Sequence, residues 1–292
     1  MSDRRIALLG AGTMGHGIAQ LAAQAGFETR VFDPAPEALA KGLAAARAGV
    51  ERAIQKGRLL AEEGPRALAR LHGAKSLEEA VHDADLVIEA GPESLAVKCR
   101  ILTEACAAAP EDAIVASNTS SLSLTELAAA TPRPSRVVGM HFFNPPPVMK
   151  LVEIVRAEQT APEAIARVRA AAERMGKEVV EVRDSPGFAS SRLGIALAME
   201  AIRMLEEGVA SAEDIDRAMR LGYNHPMGPL ELTDLVGLDV RLAIADYLNR
   251  ELGGLRFQPP QLLRRLVRAG KLGKKAGEGF YKYQLSEGQS VR

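Results

Sequence analysis

The first two thirds of the chain alternate short apolar runs with longer amphipathic stretches. The short runs are rich in β-branched residues, which favour strands. The candidate strands are Arg5–Leu9, Thr29–Phe32, Leu86–Glu89, Ile114–Ala116, Val137–Met140, Lys150–Val155 and Glu178–Val182. The candidate helices between and beside them are Gly15–Ala25, Pro36–Gln55, Leu95–Ala107, Leu124–Ala129 and Pro162–Gly176. This alternation predicts βαβ units and a mainly parallel sheet that helices cover on both faces.

The pattern changes after the segment Asp184-Ser185-Pro186-Gly187. No strand-like run recurs before the tail Phe280–Tyr283, and amphipathic helices fill the space between. These helices are Phe188–Glu207, Ala212–Arg220, Pro229–Val236, Leu238–Asn249 and Gln261–Ala269. We therefore expect an α/β domain of the Rossmann type over residues 1–185 and a smaller all-helical domain over residues 186–292.

Helix-start signals accompany two of these segments. Thr160 and Glu163 have the spacing of a capping box, with Pro162 in the first turn. Ser211 and Asp214 mark the start of another helix.

Composition narrows the class of protein. The 292 residues are 47% hydrophobic and 25% charged, which is typical of a globular protein with a sizeable core. Basic and acidic residues both number 37, so the net charge is zero. This balance argues against a nucleic acid partner, because nucleic-acid-binding proteins usually carry a basic excess.

The cysteines and the apolar runs indicate the cellular compartment of the protein. Cys99 and Cys106 lie about two helical turns, or ~10 Å, apart, which is too far for a disulfide. Their spacing matches no zinc pattern, so we expect free thiols and no metal. No apolar run has the length of a signal peptide core or a membrane span, and we expect a cytoplasmic protein with no membrane partner.

A glycine-rich turn follows the first candidate strand and opens the first helix. It contains Gly10, Gly12, Thr13, Met14 and Gly15 in the pattern GxGxxG. The first glycine permits a tight turn, the second a close approach of a pyrophosphate, and the third close packing of helix and strand. The pyrophosphate would rest on the helix N-terminus.

Asp33 completes this pattern at the end of the next strand, 18 residues after Gly15. A carboxylate there accepts hydrogen bonds from the ribose hydroxyls and repels a 2′-phosphate, so the sequence predicts NAD rather than NADP. The alternative is an ordinary turn, with Asp33 acting as a helix cap before Pro34.

Candidate catalytic residues follow the later strands. Ligands of open parallel sheets bind beyond the carboxyl ends of the strands. The hydroxyl-rich run Ser117–Ser121 and the segment His141–Pro145 both occupy such ends. Glu153 lies within an apolar strand, where an unpaired carboxylate is costly, and an imidazole is a natural partner for it.

A pair formed by His141 and Glu153 would stabilise the imidazolium and suit proton exchange with a hydroxyl. The alternative is a core histidine with Glu153 facing water. His16 lies in the first helical turn, His72 and His82 are expected in polar helical segments, and His225 is expected in a loop.

Motifs along nearly the whole chain resemble the L-3-hydroxyacyl-CoA dehydrogenase family, of the bacterial 3-hydroxybutyryl-CoA dehydrogenase type. They are the glycine-rich turn, Val87-Ile88-Glu89-Ala90 with Glu93 and Lys98, Ser117-Asn118-Thr119-Ser120-Ser121-Leu122, His141-Phe142-Phe143-Asn144-Pro145, Lys150-Leu151-Val152-Glu153, Asp184-Ser185-Pro186-Gly187-Phe188, His225-Pro226-Met227-Gly228-Pro229 and Gly277-Glu278-Gly279-Phe280-Tyr281. The Ser-Asn-Thr-Ser-Ser and His-Phe-Phe-Asn-Pro strings are highly specific in combination.

The resemblance implies NAD-dependent oxidation of an L-3-hydroxyacyl-CoA to the 3-oxoacyl-CoA. His141 would take the hydroxyl proton and Glu153 would orient it. Ser120 and Asn144 would contact both substrate and cofactor, and Lys56 would contact CoA. Further positions implied to line the NAD site are Asp33, Ala90, Glu93, Lys98 and Lys275. The resemblance also implies a homodimer that forms through the helical domain.

One position departs from the family pattern. The family commonly has asparagine three residues after the Pro-Gly-Phe string, in the active site, where this chain has Ser191. Serine is shorter and lacks the amide donor, so its contact with substrate would need a water molecule or a shifted chain.

Other functions remain open at this stage. An L-gulonate 3-dehydrogenase-like enzyme for free hydroxy acids would share this architecture. Enzymes of the 3-hydroxyisobutyrate and 6-phosphogluconate group have a similar glycine-rich turn but depend on a catalytic lysine. A non-catalytic, crystallin-like NAD-binding protein would have no need of a buried acid–imidazole pair. The sequence leaves undetermined the acyl chain length, the pathway and the effect of Ser191.

Overall fold

A computed structural model describes residues 5–284 of the chain. The chain divides into two compact units, Met1–Phe188 and Ala189–Arg292. In the described part of the first unit the strands are β1 Arg5–Leu9, β2 Glu28–Phe32, β3 Leu71–Gly73, β4 Leu86–Glu89, β5 Ile114–Ser117, β6 Val137–Phe142, β7 Leu151–Arg156 and β8 Glu178–Arg183. Its α-helices are α1 Thr13–Gln24, α2 Pro36–Gln55, α3 Gly64–Ala69, α4 Leu77–Val81, α5 Leu95–Ala108, α6 Leu124–Ala129 and α7 Pro162–Arg174.

The eight strands form one sheet in the order β3-β2-β1-β4-β5-β6-β7-β8. The first six are parallel, and β7 pairs antiparallel with β6. β8 then runs parallel to β7. The chain order reverses between β1 and β4, and this is the point beyond whose carboxyl ends open α/β sheets bind their ligands. The predicted mainly parallel sheet is confirmed.

Alternate residues of the central strands face opposite layers of helices. In β1, Ile6 and Leu8 join a core with α1, α2 and α7, whereas Ala7 and Leu9 join a core with α4, α5 and α6. β1 and β4 are therefore buried on both faces, which explains their continuous apolar runs in the sequence.

The second unit is helical over its described residues, 189–284. Its α-helices are α8 Ser190–Glu206, α9 Ala212–Gly222, α10 Pro229–Val236, α11 Leu238–Leu252 and α12 Gln261–Arg268. Their apolar faces form a separate core that includes Ile195, Met199 and Leu248. Ser211 caps α9, its hydroxyl accepting a hydrogen bond from the Asp214 amide at 3.1 Å, as the sequence predicts.

Two buried aspartates hold the segment that follows α12. Asp216 accepts hydrogen bonds from two amides in the first turn of α10 and from the Tyr281 hydroxyl at 2.7 Å. Asp234 accepts from the amides of Phe280 and Tyr281, both at 2.9 Å. A side chain at Gly279 would place its Cβ 2.1 Å from Oδ1 of Asp234, so glycine is required there. These contacts fix the tail on the helical core.

Three local predictions are wrong. His72 lies in β3, a three-residue edge strand too short to show a period, and not in a helix. Thr160 does not cap α7. The helix begins after Ala161 without a side-chain cap, and the Thr160 hydroxyl donates a hydrogen bond to the Val137 carbonyl instead. Residues 280–283, which read as a strand in the sequence, do not form one: Lys282 makes a single β-bridge with Glu278.

None of the helices in the described range 5–284 combines the length and the apolar character that crossing a membrane requires.

Candidate active site

The glycine-rich turn joins β1 to α1 at the switch point of the sheet. Gly10 has φ +106°, and a Cβ there would lie 2.7 Å from the Ala90 carbonyl oxygen. A Cβ on Gly15 would lie 1.8 Å from the Gly10 carbonyl oxygen. Both positions therefore exclude side chains, and α1 packs close against the turn.

Gly12 differs from these two glycines because a Cβ there would meet no atom within 4 Å. It is the N-cap of α1, and its lack of a side chain leaves the N-terminus of the helix without a side-chain cap. The amides of the first turn, including those of Thr13 and Met14, thus border open space. Helix N-terminal amides bind phosphates well, so this turn fits a dinucleotide pyrophosphate.

Asp33 lies directly after β2 and faces the same turn. Its carboxylate accepts hydrogen bonds from the Ala11 amide at 2.9 Å and from the Ala35 amide at 3.0 Å. The side chain is half-buried, and a carboxylate has about four lone-pair sites, of which these contacts use two. Asp33 therefore braces the turn and retains sites for ribose hydroxyls.

A buried ion pair supports the ends of β4 and β5. Lys98 is 1% exposed and donates to both carboxylate oxygens of Glu89 at 2.8 and 2.9 Å. Glu89, which is fully buried, also accepts from the Ser117 hydroxyl at 2.6 Å and from the Gly91 amide at 2.6 Å. Both charges are compensated, as burial requires. Lys98 thus acts from beneath the surface that the resemblance assigns to the cofactor.

Glu93 gathers the hydroxyls that follow β5. It accepts from the Thr119 hydroxyl at 2.7 Å, the Ser120 amide at 2.9 Å and the Ser120 hydroxyl at 3.2 Å. Burial acts to raise the pKa of Glu93, but these hydrogen bonds and the nearby Lys98 ammonium outweigh it and lower the pKa below its ordinary value. Glu93 is therefore a carboxylate at neutral pH, and the Ser120 hydroxyl that donates to it still has lone pairs for a ligand.

His141 and Glu153 face each other across the β6–β7 ladder. The antiparallel register pairs them directly, and Nδ1 of His141 lies 2.8 Å from Oε2 of Glu153. His141 is 6% exposed and Glu153 is 1% exposed. Because an ionised carboxylate only accepts hydrogen bonds, Nδ1 carries the proton and Nε2 is the nitrogen that can serve a ligand. Among the described residues, none forms a hydrogen bond with Nε2.

Aromatic rings enclose the imidazole. The ring centroid of Phe143 lies 4.5 Å from that of His141, and the centroid of Phe188 lies 5.8 Å away. These rings limit the access of water to His141 from their sides. In such surroundings the charge of an imidazolium depends on Glu153 for its stabilisation.

The loop between β6 and β7 carries Asn144, which is exposed. Pro146 packs on α1 at Gly17, where a Cβ would lie 2.9 Å from the proline ring. Buried Lys177 donates to the carbonyls of Pro146 at 2.6 Å and Met149 at 2.8 Å. The loop is therefore fixed beside the glycine-rich turn.

A cavity of about 630 Å³ lies between this loop and the helices α1 and α2. It brings together three residues that the sequence analysis singled out: Thr13, Lys56 and Asn144. Besides Lys56, three further basic side chains, Arg52, Arg58 and Arg174, line the cavity together with His16. Its size and charge suit an anionic organic ligand.

The remaining predicted site residues belong to the helical unit. Ser191 is in the first turn of α8 and is half-buried. Lys275 forms an ion pair with Asp239, its Nζ lying 2.6 and 2.7 Å from the two carboxylate oxygens.

Sequence reasoning missed several supporting residues. Asn118 accepts a hydrogen bond from the Phe142 amide at 2.9 Å and so ties the end of β5 to β6 beside His141. Lys177 and the partnership of Glu89 with Ser117 were also missed. A charged residue within an apolar strand, as at Glu89, is the signal that could have found that partnership, since the same signal found Glu153.

Family models match both units of the chain. The model of the NAD binding domain of 3-hydroxyacyl-CoA dehydrogenase covers residues 5–185, and the model of its C-terminal domain covers residues 187–283. The chain belongs to the 3-hydroxyacyl-CoA dehydrogenase family. As a member of this family it is an oxidoreductase that uses NAD to oxidise 3-hydroxyacyl-CoA thioesters.

Individual relatives agree with the family models. A probable 3-hydroxybutyryl-CoA dehydrogenase of Bacillus subtilis is 49% identical over 97% of this chain and 99% of its own length. A 3-hydroxybutyryl-CoA dehydrogenase of Mycobacterium tuberculosis is 45% identical over 97% of this chain and 100% of its own. The crystal structure of (S)-3-hydroxybutyryl-CoA dehydrogenase from Ralstonia eutropha matches with a TM-score of 0.93 and 43% identity, over 97% of this chain and 100% of that one.

Proposed function

We propose that His141 is the general acid/base of this dehydrogenase and that Glu153 positions it and stabilises its charged form. The observation that carries this proposal is the buried pair, in which Nδ1 is held at 2.8 Å while Nε2 has no described hydrogen-bond partner. NAD, when bound, supplies the acceptor for the hydride. Nε2 takes the proton of the substrate hydroxyl during oxidation and returns it during reduction.

Ser120 and Asn144 are proposed to hold the reacting groups. The Ser120 hydroxyl donates to Glu93, which leaves its lone pairs for the substrate hydroxyl or for the cofactor. Asn144 lies in the loop that directly follows β6 and borders the cavity together with Thr13. Placing these groups on a fixed turn and loop reduces the entropy lost when the reactants are aligned.

Several groups of this chain are proposed to hold NAD directly. The amides after Gly12 would bind the pyrophosphate, and Asp33 would bind the ribose hydroxyls. Glu93 and the edge at Ala90 would border the remainder of the dinucleotide. Lys98, being buried, contributes by fixing Glu89 and Glu93 from beneath, and Lys275 is a further proposed contact.

The phosphates of CoA are proposed to bind in the basic cavity. Lys56 lies at the end of α2, where Arg52 and Arg58 add positive charge on either side of it. Arginine and lysine are the usual partners of phosphate oxygens. Ser191 of the helical unit is a further proposed substrate contact, and 3-hydroxybutyryl-CoA is a representative substrate.

We also propose that residues 1–185 and 186–292 act as separate domains and that the protein works as a cytoplasmic homodimer through its helical domain. Exposed apolar side chains on the helical unit support association. Leu193 is 72% exposed, Leu221 is 79% exposed and Leu255 is 78% exposed.

Kinetics with matched substrates test this function. Purified protein should consume NADH with acetoacetyl-CoA and much more slowly with free acetoacetate or sugar acids. His141→Ala should lose most of this activity while it binds NADH almost as tightly as the wild type. His72→Ala, in the edge strand β3, is the matched control and should keep full activity. Turnover of the free acids alone, or a fully active His141→Ala variant, would overturn the proposal.

A further inference from the structure

Two glutamines of α1 border the basic cavity. Gln20 and Gln24 are four residues apart, so they share a face of the helix, and both line the cavity. Gln20 is only 5% exposed, although the other buried residues of α1 are glycines or apolar residues. A polar side chain at such a position needs a partner, because burying an unpaired amide is costly.

The amide of Gln20 lies against Gly49 of α2, which also lines the cavity. A Cβ on Gly49 would lie 2.0 Å from Oε1 and 2.6 Å from Cδ of Gln20, so no side chain fits at position 49 unless the amide moves. Glycine inside a helix is less favourable than alanine. The space that Gly49 leaves open therefore holds the Gln20 amide at the wall of the cavity.

The two amides lack hydrogen-bond partners among the described residues. No hydrogen bond joins the side chain of Gln20 to another described residue, and Nε2 of Gln24 is buried without a partner. Buried polar groups in folded proteins are normally hydrogen-bonded. Because a side-chain amide offers both donors and an acceptor, its natural complement is another amide. The pair indicates a ligand that carries amide groups.

The glutamines lie between the two ends of the cavity. Pro146, in the loop that carries Asn144, packs on α1 about one turn before Gln20. On the other side Gln20 contacts Gly49, and Lys56 follows seven residues later on α2, which is about 10 Å along the helix. A ligand that spans from the loop to the basic end of the cavity therefore passes the two amides.

We propose that Gln20 and Gln24 bind the amide groups of the pantetheine arm of CoA, so that the enzyme recognises this arm as well as the phosphates. The inference rests on the proposed function, which places the reacting groups at Asn144 and the phosphates at Lys56. The arm joins the thioester sulfur to the phosphates and carries two amides along its length. Each amide offers one N–H donor and one carbonyl acceptor, and the glutamine side chain supplies the complementary groups.

Thioesters that keep or lack the arm test the proposal. Acetoacetyl-CoA carries the arm and the phosphates, acetoacetyl-pantetheine carries the arm alone, and the S-ethyl thioester of acetoacetate carries neither. In the wild type, kcat/KM for the pantetheine thioester should exceed that for the ethyl thioester by about 10-fold or more.

Gln20→Leu should raise the KM for the CoA and pantetheine thioesters by the same factor, about 3- to 30-fold. The kcat should stay unchanged, because the lost contact is made equally in the ground state and the transition state. For the ethyl thioester, kcat/KM should stay as in the wild type.

A second variant and a matched control accompany Gln20→Leu. Gly49→Ala displaces the Gln20 amide without removing it and should raise the same two KM values. Gln55→Leu is the control, because Gln55 is exposed near the end of α2 and is not among the residues that line the cavity. Its KM values should match those of the wild type. An NADH titration of each variant separates a changed KM from misfolding.

Equal kcat/KM for the pantetheine and ethyl thioesters in the wild type, or unchanged KM values in Gln20→Leu, would overturn the inference while the dehydrogenase function stands. A loss confined to acetoacetyl-CoA would assign the amides to the nucleotide part of CoA, and an equal loss with all three thioesters would make Gln20 a structural residue. Either result would also overturn the inference. Absence of turnover of acetoacetyl-CoA by the wild type would instead refute the proposed function, and this inference with it.

Discussion

Replacing Glu153 by glutamine tests the proposed acid–base pair with the smallest change in shape. The amide keeps the length of the side chain and can accept a hydrogen bond from Nδ1 through its oxygen, but it carries no charge. The two atoms lie 2.8 Å apart, and His141 is 6% exposed and Glu153 1% exposed, so little water can compensate for the lost charge. The imidazolium formed during oxidation then lacks its stabilising partner.

The size of the effect follows from this contact. A hydrogen bond to a charged group contributes about 1.5–3 kcal/mol, and leaving a buried charge unpaired costs about 3–5 kcal/mol. Since each 1.36 kcal/mol is about tenfold in rate, kcat should fall by roughly 10- to 5,000-fold. The Kd for NADH should stay within about twofold, because neither member of the pair belongs to the glycine-rich turn.

The measurement is the rate of NADH consumption with saturating acetoacetyl-CoA, together with an NADH titration of the free enzyme. Glu181→Gln is the control, because Glu181 lies in β8 and its carboxylate is exposed and paired with Arg169. A Glu153→Gln enzyme with kcat within about threefold of the wild type would refute the role given to this carboxylate. An equal loss of kcat in the Glu181→Gln enzyme would refute the assignment of the effect to Glu153.

Three further substitutions probe other parts of the molecule. Gly15→Ala should abolish NADH binding, measured by fluorescence titration, because its Cβ would lie 1.8 Å from the Gly10 carbonyl oxygen; an unchanged Kd would contradict this close packing. Lys56→Gln should raise the KM for acetoacetyl-CoA about 3- to 10-fold at low salt by removing one positive charge from the cavity, and the difference should shrink at high salt; an unchanged KM would place the CoA phosphates elsewhere. Burial lowers the pKa of Lys177 below its ordinary value of 10.5, so the folded state releases this proton at a lower pH than the unfolded state and stability rises with pH between the two values. Lys177→Met should lack this rise in urea denaturation midpoints, and parallel curves for variant and wild type would disprove the linkage.

Much of the α/β architecture could be predicted because its central strands are buried on both faces. Continuous apolar runs such as those of β1 and β4 stand out against amphipathic helices, and the glycine-rich turn marks the junction of β1 with α1. β3 was not predicted because it has only three residues, at the edge of the sheet. Its hydrogen-bonded pairing with β2, rather than its own sequence, makes it a strand. The tail was misread since its aromatic residues serve as hydroxyl donors to buried aspartates rather than as strand formers.

The candidate site also has parts that the sequence predicts and parts that it does not. The facing of His141 and Glu153 could be anticipated because an isolated carboxylate in an apolar strand requires a partner. The engagement of Ser120 with Glu93 could not, since it depends on how two loops after different strands meet.

The direct pairing of His141 with Glu153 in the β6–β7 ladder has a consequence for how such enzymes diversify. Their separation is fixed by hydrogen bonds between two strands, and the intervening loop, residues 143–150, does not set it. Exchanges at positions of that loop other than Phe143 and Asn144 can therefore reshape what the enzyme accepts without disturbing the proton-transfer pair. In protein engineering, this loop is a natural place to graft new specificity onto an unchanged reaction.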